Sequence, residues 1–89
     1  MDTPVPVKPP VLPTIHLGGT SRATLLDDIA DALNALRDAL HALSITTPST
    51  RDYPKPGDIS LAMAQHLDRK KRLESVIAEL EGLAEHIAG

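Results

Sequence analysis

The side chains with chemistry to offer gather in three short stretches of this 89-residue chain. The first is Gly18-Gly19-Thr20-Ser21, two glycines and two hydroxyl residues just ahead of a helical pattern. A helix start of that kind presents free backbone N–H groups and the positive end of the helix dipole, which suits a phosphate or another anion. The same residues also read as plain capping after a flexible pair, because Ser and Thr accept from N–H groups at helix starts generally. No Lys follows the glycines and no strand pattern precedes them, so the stretch is not a phosphate loop of the Walker type. The second stretch, Arg51-Asp52-Tyr53-Pro54-Lys55-Pro56-Gly57-Asp58, holds the chain's one aromatic residue beside Arg51 and Lys55. Arg can grip phosphate through two parallel N–H bonds, Tyr53 can stack on a ring, and the prolines would hold both in place before binding. The structural alternative packs Tyr53 over a hairpin end and pairs Arg51 with Asp52 or Asp58. The third stretch, Asp68-Arg69-Lys70-Lys71-Arg72, sets four cations in a row. At ~100° per residue four such positions cannot share one helix face. Either they are solvated and pair with an acidic helix, Arg72 near Asp31, or Arg69 falls on the apolar seam and opens a cationic cavity for an anion.

Other chemistries find little support. His16, His41, His66 and His86 are far apart, with no His-x-x-x-His on one helical face. Asp38 and His41 have the carboxylate-x-x-His spacing of di-iron bundles, but the second copy and the extra glutamates are missing from the chain. With no Cys, disulfides, Cys-based zinc sites and a thiol nucleophile are excluded. No nucleophile–base–acid trio can be assembled, so the expectation is a protein that is not an enzyme, with no metal and no cofactor. A net charge of −3 argues against direct nucleic-acid binding. No stretch reaches the ~18 apolar residues of a membrane span, and the start has no unbroken apolar run, so a cytoplasmic location is expected.

The elements that must position these groups are helices. Leu26, Ile29, Leu33, Leu36, Leu40 and Leu43 recur at alternating steps of three and four, which predicts a helix over about 21–45. Ser21 or Thr20 is its natural N-cap, with Asp27 and Asp28 early in it. Leu73, Val76, Leu80, Leu83 and Ile87 repeat the spacing and predict a second helix over about 58–88, capped by Asp58. Carried backwards, the same stripe passes through Arg69, His66, Ala62 and Ile59. Gly82 lies inside that helix, which close approach of another helix would explain. Pro48, Pro54 and Pro56 make 46–57 a loop. Five more prolines make 1–19 an extended arm, whose alternating Thr14-Ile15-His16-Leu17 would lie on an apolar surface. The expected fold is all-α: a Pro-rich arm (1–19) and a long antiparallel helical hairpin (20–89). Two helices with one apolar stripe each lack the core to offset chain entropy, so a homo-oligomeric helical bundle is expected.

Thr14-Ile15-His16-Leu17-Gly18-Gly19-Thr20-Ser21, the Leu-rich helix after it and Arg51-Asp52-Tyr53 together resemble a group of small uncharacterised helical proteins of phages and prophages. That group tends to read TIHLNGTS at the first position and RDYYPQGD at the second. The resemblance covers about residues 14–88. This chain has Gly18 where the group favours Asn, and only Tyr53 of the group's two tyrosines. The resemblance implies a phage accessory role in the host cytoplasm, and two motifs that belong to one site. Within one hairpin Ser21 and Arg51 stand ~36 Å apart, so a shared site needs either two subunits, as in an antiparallel dimer where the loop of one copy meets the helix start of the other, or the arm folded back. The functional expectation is a binding module that sequesters a phosphate-bearing small molecule, such as a nucleotide-like defence signal, between subunits. Its ligand-binding residues would be His16, Gly19, Thr20, Ser21, Arg51, Tyr53, Lys55 and Arg69. One alternative is an inhibitor that binds a host defence protein through Asp27, Asp28, Asp31 and Asp38. Another is an assembly part with no ligand.

Overall fold

The computed structural model describes residues 10–89, and the readings made for Pro4, Pro6 and Pro9 lie outside them. Two long helices, α1 (Arg22–Ile45) and α2 (Asp58–Ala88), run antiparallel and are joined by a loop containing one 3-10 turn, Thr50–Asp52. No strand occurs among the described residues, and no helix among them is long and apolar enough to cross a membrane.

Each helix end has a chemical cause. Ser21 is the N-cap of α1: its Oγ accepts from the Thr24 N–H at 3.1 Å and donates to Thr24 Oγ1 at 2.9 Å. At the other end Thr46 donates to Leu43 O through both its N–H (3.0 Å) and its hydroxyl (2.7 Å), and the Thr47 hydroxyl donates to Ser44 O at 2.6 Å. Those bonds satisfy carbonyls that the helix leaves open, and Pro48 prevents its continuation. The N-cap of α2 is Gly57, not Asp58 as the sequence suggests. The turn in which Asp58 N–H reaches Lys55 O needs φ of 87° at position 57, a left-handed value that glycine adopts without strain. Asp58 moves into the first turn, where its charge still suits the dipole.

The α1 stripe is as the spacing predicts: Leu33 is buried, and Leu26, Ile29, Leu36, Leu40 and Leu43 are half-buried. On α2 the seam runs through Ala62, His66, Leu73, Ile77, Leu80, Ala84 and Ile87, with Ile77 at 7% exposure and Val76 at 44%. The stripe predicted through Val76 is therefore one position off there. Arg69 is exposed and the neighbouring Lys70 is half-buried in its place. Gly82 faces away, with nothing within 4 Å of where a Cβ would stand. No second helix among the described residues approaches it.

The helices are offset lengthwise. Leu43 and Leu73 line one groove, and Arg37 Nη2 lies 3.6 Å from Glu81 Oε2. Arg72 therefore stands near the C-terminal end of α1, far from Asp31, and pairs with Asp68 on its own helix at 3.0 Å. The expected Arg72–Asp31 proximity assumed a symmetric loop. Instead α2 begins roughly a dozen residues, ~18 Å, beyond the level where α1 ends, and the loop lies alongside those first turns. The resulting rod measures 60 × 29 × 17 Å, with a radius of gyration of 18.0 Å against ~12 Å for a compact chain of this length.

Two histidines fasten the segments that flank the helices. His66 is 3% exposed, and its Nε2 lies 3.3 Å from Thr47 Oγ1. The Thr47 hydrogen is already given to Ser44 O, so Nε2 is the donor and the hydroxyl oxygen accepts. At the far end His86 Nε2 donates to Pro13 O at 3.2 Å and holds the arm against the last turns of α2. Thr47→Val should leave the His66 N–H without a partner and lower stability by about 1–3 kcal/mol, read as an earlier midpoint in urea unfolding. An unchanged midpoint would show that this bond does not hold the loop.

Candidate functional site

The sequence-predicted residues fall into three places along the rod. At the start of α1, Ile15, His16, Leu17, Gly19, Ser21 and Arg22 line a shallow recess. The turn behind it is closed by the Gly19 N–H donating to His16 O at 3.1 Å. The His16 ring folds over Gly19 so closely that a Cβ there would come within 2.9 Å of Nε2. His16, Gly19 and Ser21 are thus brought together, with Thr20 exposed between them. Ser21 Oγ, though, is already engaged with Thr24. Leu17 is fully exposed. The alternating arm therefore lays neither Leu17 nor most of its length on the core; Pro13 is half-buried instead.

At the opposite end the loop presents Arg51, Tyr53 and Lys55, all exposed. The 3-10 turn positions Arg51: Ser49 Oγ accepts its N–H at 3.4 Å. Neither Asp52 nor Asp58 forms an ion pair with Arg51; among the described residues the ion pairs are Arg37–Glu81 and Arg72–Asp68. The guanidinium of Arg51 is open to an external anion. Tyr53 is 38% exposed, so part of the residue is accessible from outside.

The third place lies near mid-length. Arg69 lines two neighbouring recesses, one with Leu43, Arg72, Leu73 and Val76, the other with Ala64, Gln65, Asp68 and Arg72. The first is an apolar groove between the helices with two guanidinium groups at its edge. Sequence reading left Arg69 either solvated or on the apolar seam beside a cavity; Arg69 is exposed, off the seam, at the edge of an open groove. The same reading missed Leu43, Val76 and Arg72 as lining residues. Their signal was available: Arg69, Arg72 and Val76 follow one another at helical steps of three and four along one side of α2.

No protein-family model, curated protein or solved structure matches this chain.

The geometry is one of charge and apolar surface. Among the described residues no three His, Asp or Glu side chains converge where they could hold a metal ion. The three places are separate within one hairpin. The 24 residues of α1 alone put ~36 Å between the Ser21 recess and the loop. What the arrangement can do is bind: Arg51 and Arg69 can each take an anionic group, while Tyr53 and the Leu43–Val76 groove offer apolar or aromatic contact.

Proposed function

We propose that this chain is a non-enzymatic binding protein of the phage-accessory type. It works as a helical homo-oligomer that captures a phosphate-bearing, nucleotide-like small molecule between its subunits. The observation that carries the reading is the placement of cations without internal partners. Arg51 and Arg69 sit exposed beside Tyr53 and beside the Leu43–Leu73–Val76 groove respectively. Arg51 together with Tyr53 would grip a phosphate and stack its ring, and Arg69 would add charge at mid-length. Thr20 and Ser21, from a neighbouring subunit, would supply N–H donors and the positive end of α1, while Gly19, its own N–H held by His16 O, would shape the turn beneath them. Oligomerisation is supported by the small core, since only Leu33, Ala62, Ile77 and Ile87 are buried apolar residues in the hairpin.

The test is native mass spectrometry of protein purified gently from a bacterial host, on the native chain and on Arg51→Ala and Tyr53→Ala. The expected result is an oligomer carrying a few hundred daltons of extra mass per site. Each variant should keep the oligomer and lose most of the adduct, a drop in affinity of about tenfold or more. Adduct retention by both variants would overturn the proposed site. An oligomer free of adduct, even from infected cells, would favour a protein-binding inhibitor. That second reading draws on Asp27, Asp28 and Asp31, which are exposed and form no ion pair among the described residues.

A further inference from the structure

We infer that the mid-length groove is covered by a second copy of this chain, packed antiparallel with α2 against α2 and the two-fold axis passing close to Val76. The inference rests on the reading that the protein works as an oligomer, and it names the partner and its orientation.

The face concerned is apolar and half-covered. Leu43, Leu73 and Val76 line it, and Leu36 and Leu83, both half-buried, continue it along the two helices. At ~100° per residue these positions lie on the side of the seam away from the exposed Arg37–Glu81 pair. Along α2 this side reads Arg69, Arg72, Val76, Glu79, Leu83. The order is complementary to its own reverse at its charged pair. In an antiparallel pair centred at Val76, Arg72 of each copy meets Glu79 of the other, and Arg69, level with Leu83, stays at the rim with its guanidinium in solvent. In a parallel pair Arg72 would face Arg72 and Glu79 would face Glu79. A two-fold interface makes every contact twice, so the choice of direction counts double.

The charge of the whole rod agrees. On the loop side of the Leu43–Leu73 level, residues 44–73 carry six Lys and Arg against three Asp and Glu. The other side, residues 10–43 and 74–89, carries two against eight. One end is cationic and the other anionic, so copies attract head to tail and repel head to head.

The offset of the helices gives this arrangement a consequence for binding. Leu40 stands level with Val76, given that Leu43 is level with Leu73. From that level α1 reaches ~27 Å to its start at Arg22, and α2 reaches ~27 Å the opposite way to its start at Asp58. After the two-fold rotation the α1 start of one copy stands level with the loop of the other. The His16–Ser21 recess and the Arg51–Tyr53–Lys55 group, far apart in one hairpin, then lie at the same end of the pair.

Two measurements on the full chain test the orientation. The chain has no Cys, so Ser60→Cys, exposed on the first turn of α2 and pointing away from the groove, takes a single spin label. The antiparallel pair puts the two labels ~48 Å apart along the rod, and a parallel pair brings them within roughly 25 Å. A short distance overturns the orientation but leaves the oligomeric binding protein standing. A complete lack of dipolar coupling, with a monomer mass, overturns both. In the second measurement Arg72→Glu and Glu79→Arg, each alone, should weaken self-association by about tenfold. The double variant Arg72→Glu/Glu79→Arg should restore it. If the double variant associates no better than either single one, the antiparallel α2 contact is wrong.

Discussion

Val76→Asp should leave the hairpin helical and yet raise the dissociation constant of the oligomer by a hundredfold or more. Within one chain Val76 is 44% exposed and lies beside the buried seam, so an Asp there can turn its carboxylate to water at little cost to the fold. In the assembled pair the same position stands at the two-fold axis. Two carboxylates would then be desolvated side by side, which costs several kcal/mol. Sedimentation across a range of concentrations, with circular dichroism on the same samples, separates the two effects. A variant that stays assembled would move the interface off this face. A variant that loses its helices altogether would mean that the hairpin does not exist apart from its partner.

Leu33→Ala should act on the fold itself. Leu33 is the one α1 residue in the buried core, at 7% exposure. It packs where the two helices overlap, between the arm at one end and the loop at the other. Truncating a buried Leu removes apolar contact and leaves a cavity that long rigid helices close poorly, a loss of about 2–5 kcal/mol. Few other buried groups share the load, so this should take most of the stability of a domain this small. Thermal unfolding followed by helical ellipticity should show a fall in midpoint of at least about ten degrees. A shift of only a degree or two would place the core elsewhere, between copies of the chain.

How much of this was legible in the residues differs between the two helices. On α1 every seam position is Leu or Ile and, Leu25 beside Leu26 apart, its neighbours are Ala or polar residues, so spacing alone picks the buried line. On α2 Val76 and Ile77 are adjacent and both apolar, as are Leu83 and Ala84. Periodicity accepts either column, and contact with α1 decides. His66 was on the projected stripe, but its bond to Thr47 depends on the path of the loop, which no spacing encodes. The level of one helix against the other was likewise hidden, because a twelve-residue loop can close symmetrically or climb alongside a helix. The candidate binding residues were visible as unusual types near helix ends. Which of them would be tied up internally, as Ser21 is, and which left open, as Arg51 is, follows from short-range hydrogen bonds seen only in three dimensions.

The lengthwise offset of the helices also grades the molecule's resistance to opening. Amide hydrogens in the stretch where α1 and α2 lie against each other, around Leu33–Leu43 and Leu73–Ala84, can exchange with solvent only when the pair separates. The first turns of α1 and the first turns of α2 each project past the end of the other helix. They are held by the arm through His86 and by the loop through His66. Such overhangs open in small local excursions, well below the free energy of global unfolding. They are also the parts of the rod that carry the His16–Ser21 recess and the Arg51–Tyr53–Lys55 group. A molecule that occupies either place will therefore slow exchange at the tips of the rod far more than at its middle, giving the binding event a signature that can be read residue by residue.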